Sequence, residues 1–131
     1  MDIKIDGLDQ VLQNLNLLVV DEAMESKALN KAGNIAKEAI ASQAPVGKGT
    51  LQRNIKLKRA KNGEALVHTG GAYHAHLVEF GRSGGSAITK KGRRVKWGPT
   101  SPNPFFTRGW DASETEAKQA MVDELKKGLG L

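Results

Sequence analysis

Cysteine is absent from this chain of 131 residues, which excludes disulfides and thiolate metal sites outright. The absence suits a protein made in a reducing cytoplasm. No apolar run approaches the roughly 18 residues needed to span a bilayer, so no membrane segment is expected. The opening Met1-Asp2-Ile3-Lys4-Ile5 has neither the basic region nor the apolar stretch of a secretory leader, and a cytosolic product is expected. Acidic residues are scarce in the middle. Between residues 46 and 110 only Glu64 and Glu79 stand against thirteen Lys or Arg, a balance of +11. Residues 1–45 carry four Lys and seven acids, and residues 111–131 carry three Lys and five acids. A basic centre between two acidic ends fits either nucleic acid or acidic neighbours in an assembly.

What remains is an ordinary globular composition, and the length fits one domain over residues 1–131. Ile3 and Ile5 alternate with polar residues, as in a short strand. Leu8, Val11, Leu12, Leu15, Leu18 and Val19 then form one apolar stripe on a helix, with Asp6 as its cap. A second helix begins near Asp21 and presents Met24, Ala28, Leu29, Ala32, Ile35, Ala36, Ala39 and Ile40. Its alanines favour helix and admit close packing, and Ala44-Pro45 ends it. Gly47-Lys48-Gly49-Thr50 is a turn, after which Ile55 and Leu57 alternate with Lys56 and Lys58 in a half-buried strand. Asn62-Gly63 signals a hairpin returning through residues 65–68. Residues 73–80 read as either a third strand or a short helical turn running into one.

Residues 81–103 are rich in Gly, Ser, Lys and Arg, with Ala87, Ile88, Val95 and Trp97 too few to make a core. They read as a long protruding basic loop, with a small hairpin near Lys90-Lys91-Gly92. Asn103 as cap and Pro104 at the first helical position open a last helix. Phe106, Trp110, Ser113, Ala117, Ala120, Met121 and Leu125 follow at spacings of three and four. Gly109 inside that helix costs roughly 1 kcal/mol relative to Ala, which points to a close contact there. The fold class expected is α+β, with helices packed on a small antiparallel sheet.

Candidate chemistry is sparse. Gly47-Lys48-Gly49-Thr50 resembles the end of a phosphate loop, but Ser42 stands where the required earlier glycine belongs. His74 and His76 would share a face on a strand, with His68 or Glu79 as a third metal ligand, but such a pair is more often made of packing or interface residues. Nothing resembles a nucleophile elbow or a converging carboxylate pair, so no catalytic, cofactor or metal residue is assigned. Glu79, between Val78 and Phe80, is expected to pair with an arginine such as Arg108 or Arg53, within the fold or across a subunit boundary. Arg82, Lys90, Lys91, Arg93, Arg94, Lys96 and Trp97 are the candidate contact residues of the loop. They suit a protein partner or non-specific DNA contact.

Three segments in order carry a family resemblance: Ala44-Pro45-Val46-Gly47-Lys48-Gly49-Thr50-Leu51, Tyr73-His74-Ala75-His76-Leu77-Val78-Glu79-Phe80-Gly81, and Pro102-Asn103-Pro104-Phe105-Phe106 running into the last helix. The chain resembles the head–tail joining or tail-completion (minor tail) proteins of long-tailed bacteriophages. It departs from them at Lys48-Gly49-Thr50, where an acid and Thr-Gly are usual, and at Gly109-Trp110, where Pro-Ala often follows. The resemblance implies a non-enzymatic ring subunit, usually one of six, in the neck of the virion, assembled in the host cytoplasm. It implies contact with a head-completion or connector protein on one side and a tail-terminator or tube protein on the other. Tyr73, Glu79, Phe80, Phe105, Phe106 and Trp110 are then the candidate subunit-interface residues, because aromatics are enriched at interface hot spots.

Overall fold

The computed structural model describes residues 1–6, 22–47 and 49–130. Its elements run β1 (Asp2–Ile5), α1 (Glu22–Gln43), α2 (Thr50–Asn54), β2 (Lys56–Lys61), β3 (Glu64–His68), α3 (Ala75–Phe80), β4 (Gly85–Ile88), β5 (Arg94–Trp97) and α4 (Phe105–Gly128). The helix expected over residues 8–19 and the turn residue Lys48 lie outside the described residues. The architecture is α+β, as expected.

The two long helices make the centre of the core. Ala28, Leu29, Ala32, Gly33, Ala36 and Ile40 of α1 are buried, at helical spacing. They face the buried stripe Phe105, Phe106, Gly109, Ser113, Ala117, Met121 and Leu125 of α4. The helices are antiparallel, since Gly109 lies against Ile40 at one end and Gly128 against Met24 at the other. The backbones approach closely at Gly109, where an added Cβ would sit 2.5 Å from the Ile40 Cα. Small residues therefore let the backbones meet where side chains would hold them apart.

The sheet packs against α1 as well. Its order is β1-β3-β2, antiparallel throughout, with Ile3 opposite Val67 opposite Leu57. Ile5, Ala65 and Val67 join the helical core, and Gly33 makes room for the Leu57 side chain. Asn62 (φ 54°) and Gly63 (φ 78°) are both left-handed, the conformation that a two-residue hairpin with the strands' own twist requires. The ladder shifts register between Lys58 and Lys61, and there the Ala60 N–H donates to Asn30 Oδ1 of α1 at 2.7 Å.

Two stretches differ from the pattern read in the sequence. The extended segment begins only at Lys56. Before it, left-handed Gly49 (φ 75°) turns the chain into α2, which places Leu51 and Ile55, four apart, in the core. The basic loop carries the hairpin expected near Lys90-Lys91-Gly92, but as a longer arm in which β4 and β5 pair along their whole length.

At the end of the helix pair remote from Gly109, the Glu124 carboxylate accepts from Lys27 (3.3 Å) and Lys31 (3.2 Å). Glu124 is buried, whereas both lysine side chains lie largely in solvent. Hydrogen bonds from Lys31 and then Lys27 hold its carboxyl below the ordinary carboxylate value of 4.5, against the opposing effect of burial.

Gly109→Ala tests the helix contact. Alanine favours helix by about 1 kcal/mol, but overpacking against a backbone costs up to about 3 kcal/mol, so a net loss of about 2 kcal/mol is expected in urea unfolding. Gly128→Ala meets only the flexible end of Met24 and should be near neutral. For Glu124, a lowered folded-state pKa means stability that is present above pH 4.5 and lost as the pH falls through the folded value. Glu124→Gln should therefore lower the Tm at neutral pH and flatten its decline below pH 4.5, as thermal melts across that range would reveal.

Candidate functional site

The conspicuous cluster lies where α3, the foot of the hairpin arm and the start of α4 converge. Glu79, in the last turn of α3, is 2% exposed. Its Oε2 accepts the Phe106 N–H at 2.9 Å, and its Oε1 accepts the Thr107 N–H at 3.2 Å and the Thr107 hydroxyl at 2.6 Å. The carboxylate thus caps the N-terminus of α4, satisfying two backbone donors that the helix itself cannot and placing negative charge at the positive end of its dipole. This corrects the expectation of an arginine partner within the fold. Arg108 instead donates to Gln43 Oε1 at 2.6 Å and Asn103 Oδ1 at 2.9 Å. It corrects the expected cap as well. Helix α4 begins at Phe105 after Pro104, and Asn103 receives Arg108 while Glu79 does the capping.

Gly81 explains why glycine follows Glu79-Phe80. At φ 71° its added Cβ would lie 2.5 Å from the Thr100 carbonyl oxygen and 2.9 Å from the Pro102 nitrogen. Only a residue without a side chain lets the strands at the arm's foot cross this closely. Arg82 and Thr100 then exchange backbone hydrogen bonds at 3.0 and 2.8 Å, and the Asn103 N–H donates to the Val78 carbonyl at 2.9 Å.

The arm rises from this foot. Gly85 pairs with Trp97, Ser86 with Lys96, Ala87 with Val95 and Ile88 with Arg94. At the tip the Gly92 N–H donates to the Thr89 carbonyl (2.9 Å), the Thr89 N–H to the Arg93 carbonyl (2.8 Å), and the Arg93 N–H to the Thr89 hydroxyl (3.1 Å). Trp97 lies across Gly85, donates Nε1–H to the Ser83 carbonyl at 3.1 Å, and carries the Arg82 guanidinium 5.2 Å above its ring. Arg82 and Trp97, read as partner-contact residues, thus brace the arm from within. Lys90, Lys91, Arg93, Arg94 and Lys96 are exposed, and none forms an ion pair among the described residues.

The expected interface residues divide. Phe105, Phe106 and Glu79 are buried in the protomer and offer no surface, because the α4 start is built on them. Trp110 is half-buried against the core. Tyr73 and Phe80 are 86% and 72% exposed. Tyr73 borders a groove with Pro45, Thr50, Leu51, His74 and Val78, and lies edge-on to His74 at 5.6 Å. His74 and His76 fall on the start of helix α3 rather than on a strand, so residues two apart diverge and do not share a metal. His68 accepts the Gly70 N–H at 3.0 Å, and no group of three His, Cys, Asp or Glu that could hold a metal occurs among the described residues. No described helix is long and apolar enough to cross a membrane.

The HK97-gp10-like family model, described as "Bacteriophage HK97-gp10, putative tail-component", matches residues 7–81. The chain belongs to this family. The matched span runs through α1, α2, the first sheet hairpin and α3, and ends at Gly81, the foot of the arm. No curated protein and no solved structure was found to match the chain. The Glu-Phe-Gly segment of the tail component now has a physical content: a capping carboxylate, an outward aromatic, and a glycine that admits a backbone crossing.

Glu79→Ala should destabilise the protein by about 2–3 kcal/mol in chemical unfolding, since two backbone N–H donors and the Thr107 hydroxyl lose their acceptor at a buried site. Glu79→Gln keeps one oxygen acceptor but turns an NH2 donor toward the other backbone N–H, so a loss of about 1–3 kcal/mol is expected. Unchanged stability in both variants would show that the carboxylate is not acting as a cap.

Proposed function

We propose that this tail component is a non-enzymatic structural subunit of a phage virion, one copy of a hexameric ring at the top of the tail. In this reading it completes the tail in the host cytoplasm and joins it to the head, meeting a head-completion or connector protein on one face and a tail-terminator or tube protein on the other. The observation that carries the reading beyond family membership is the outward display of Tyr73 and Phe80 at the rigid joint around Glu79. Large aromatics exposed beside a well-ordered core are the usual anchors of an interface, and a ring subunit needs two such complementary edges. A second reading takes the same joint as the base of a DNA-contacting arm. The five arm cations, without an ion-pair partner among the described residues, favour it.

Electron microscopy of particles made without this chain tests the joining role. Filled heads lying beside separate, finished tails are expected, and intact virions would overturn the assignment.

A further inference from the structure

Two surfaces of opposite sign lie on this chain without meeting in the protomer. The first is the hairpin arm, where Lys90, Lys91, Arg93, Arg94 and Lys96 are all exposed and unpaired among the described residues. The second is the outward face of the first half of α4. There Asp111 and Glu116 have no ion-pair partner among the described residues, and Glu114 has only Lys118, at 2.9 Å. A contact between two different surfaces of identical chains is heterologous, the kind that closes into a ring.

The arm carries more than charge. In the β4–β5 register, residues directly opposite share a face, so Ile88 and Arg94 lie together with Ser86 and Lys96, while Ala87 and Val95 lie on the Trp97 side. Ile88 is 67% exposed and Val95 43% exposed. The Ile88 face also carries Arg94 and Lys96, and a phosphate backbone satisfies those cations but offers nothing to the isoleucine. A helix surface on which Asp111 and Glu114 flank Thr115, and Glu116 lies beside the small Ala112, offers something to both, with the exposed Arg108 already taken up by Gln43 and Asn103. Exposed ion pairs are individually weak, so the apolar contacts supply adhesion and the charges supply choice of partner and register.

We propose that the hairpin arm of one subunit docks across the acidic outer face of α4, around Asp111, Glu114 and Glu116, on the next copy of this chain. The proposal rests on the ring reading above and names the contact that would build it.

The lack of cysteine makes the test clean. Ser86→Cys on the arm and Thr115→Cys on α4 together leave every charge in place, and both positions are exposed. Particles carrying this doubly substituted chain are treated with a short bis-maleimide and run on a denaturing gel. A ladder of covalent multimers is expected, with no multimer beyond the dimer from either single variant. Lys90→Glu with Lys91→Glu and Arg93→Glu should abolish the ladder, and adding Asp111→Lys with Glu116→Lys should restore it. Particles that hold the chain at the neck yet give no ladder would overturn the docking contact while leaving the ring reading intact. So would cross-linking of the arm thiol to a different virion protein, or its protection from thiol labelling only in DNA-filled particles. Complete virions that lack the chain would overturn the ring reading itself.

Discussion

The Glu79 carboxylate sits where three pieces of chain have to be held in one arrangement. It leaves α3, enters the N-terminus of α4, and takes up the Phe106 and Thr107 donors there. Burying a carboxylate is costly unless its oxygens are fully engaged, and these are engaged by donors whose own burial would otherwise be equally costly. Each group therefore makes the other tolerable, which fixes the end of α3 relative to the start of α4. Because the arm leaves from Gly81 and returns through Asn103, both tied to this joint, its direction is set by the same cap.

The cap would orient nothing if α4 were free to slide. Its position along α1 is set by Gly109 over the Ile40 backbone near the joint and by Glu124 between Lys27 and Lys31 near the other end. The two constraints differ in kind. The first is steric and independent of pH or salt, and the second weakens once the carboxylate is protonated. The end of the helix pair that positions the exposed Tyr73, Phe80 and arm is thus the end held by shape and by a buried, charge-assisted cap. The electrostatic clamp stands at the far end.

Legibility in the sequence follows the range over which each interaction acts. The Asn62-Gly63 turn, the alanine stripe of α1, its stop at Ala44-Pro45 and the close contact implied by Gly109 all depend on near neighbours or on helical periodicity, and all stand in the structure. Helix α2 escapes such a reading because five residues carry too little periodicity to separate a helical turn from an extended start. The partner of Glu79 is illegible for another reason. Its donors are backbone N–H groups 27 and 28 residues away, which carry no side-chain signature, whereas arginines advertise themselves as partners. The same blindness assigns the α4 cap to Asn103, whose local signal is sound until a better acceptor arrives from elsewhere in the fold. Aromatic residue type also does not tell buried Phe105 and Phe106 from exposed Tyr73 and Phe80, since the two pairs differ only in tertiary placement.

The ordering of the arm sharpens what a basic, Gly-rich segment means. Composition alone would leave such a segment to fold only on contact with a partner, at a cost in ordering entropy. Here four paired positions, a turn locked by Thr89 and left-handed Gly92, and the Arg82–Trp97 brace order it before any partner arrives. An arm ordered in advance would lose little conformational freedom on meeting a partner. The use of Trp97 is informative in the same way. A tryptophan kept for stacking on a partner would be left free, whereas this one lies across Gly85 and against Arg82, where it stiffens the arm. The segment is therefore a braced hairpin that displays Ile88 with Arg94 and Lys96 on one face and Val95 with Trp97 on the other.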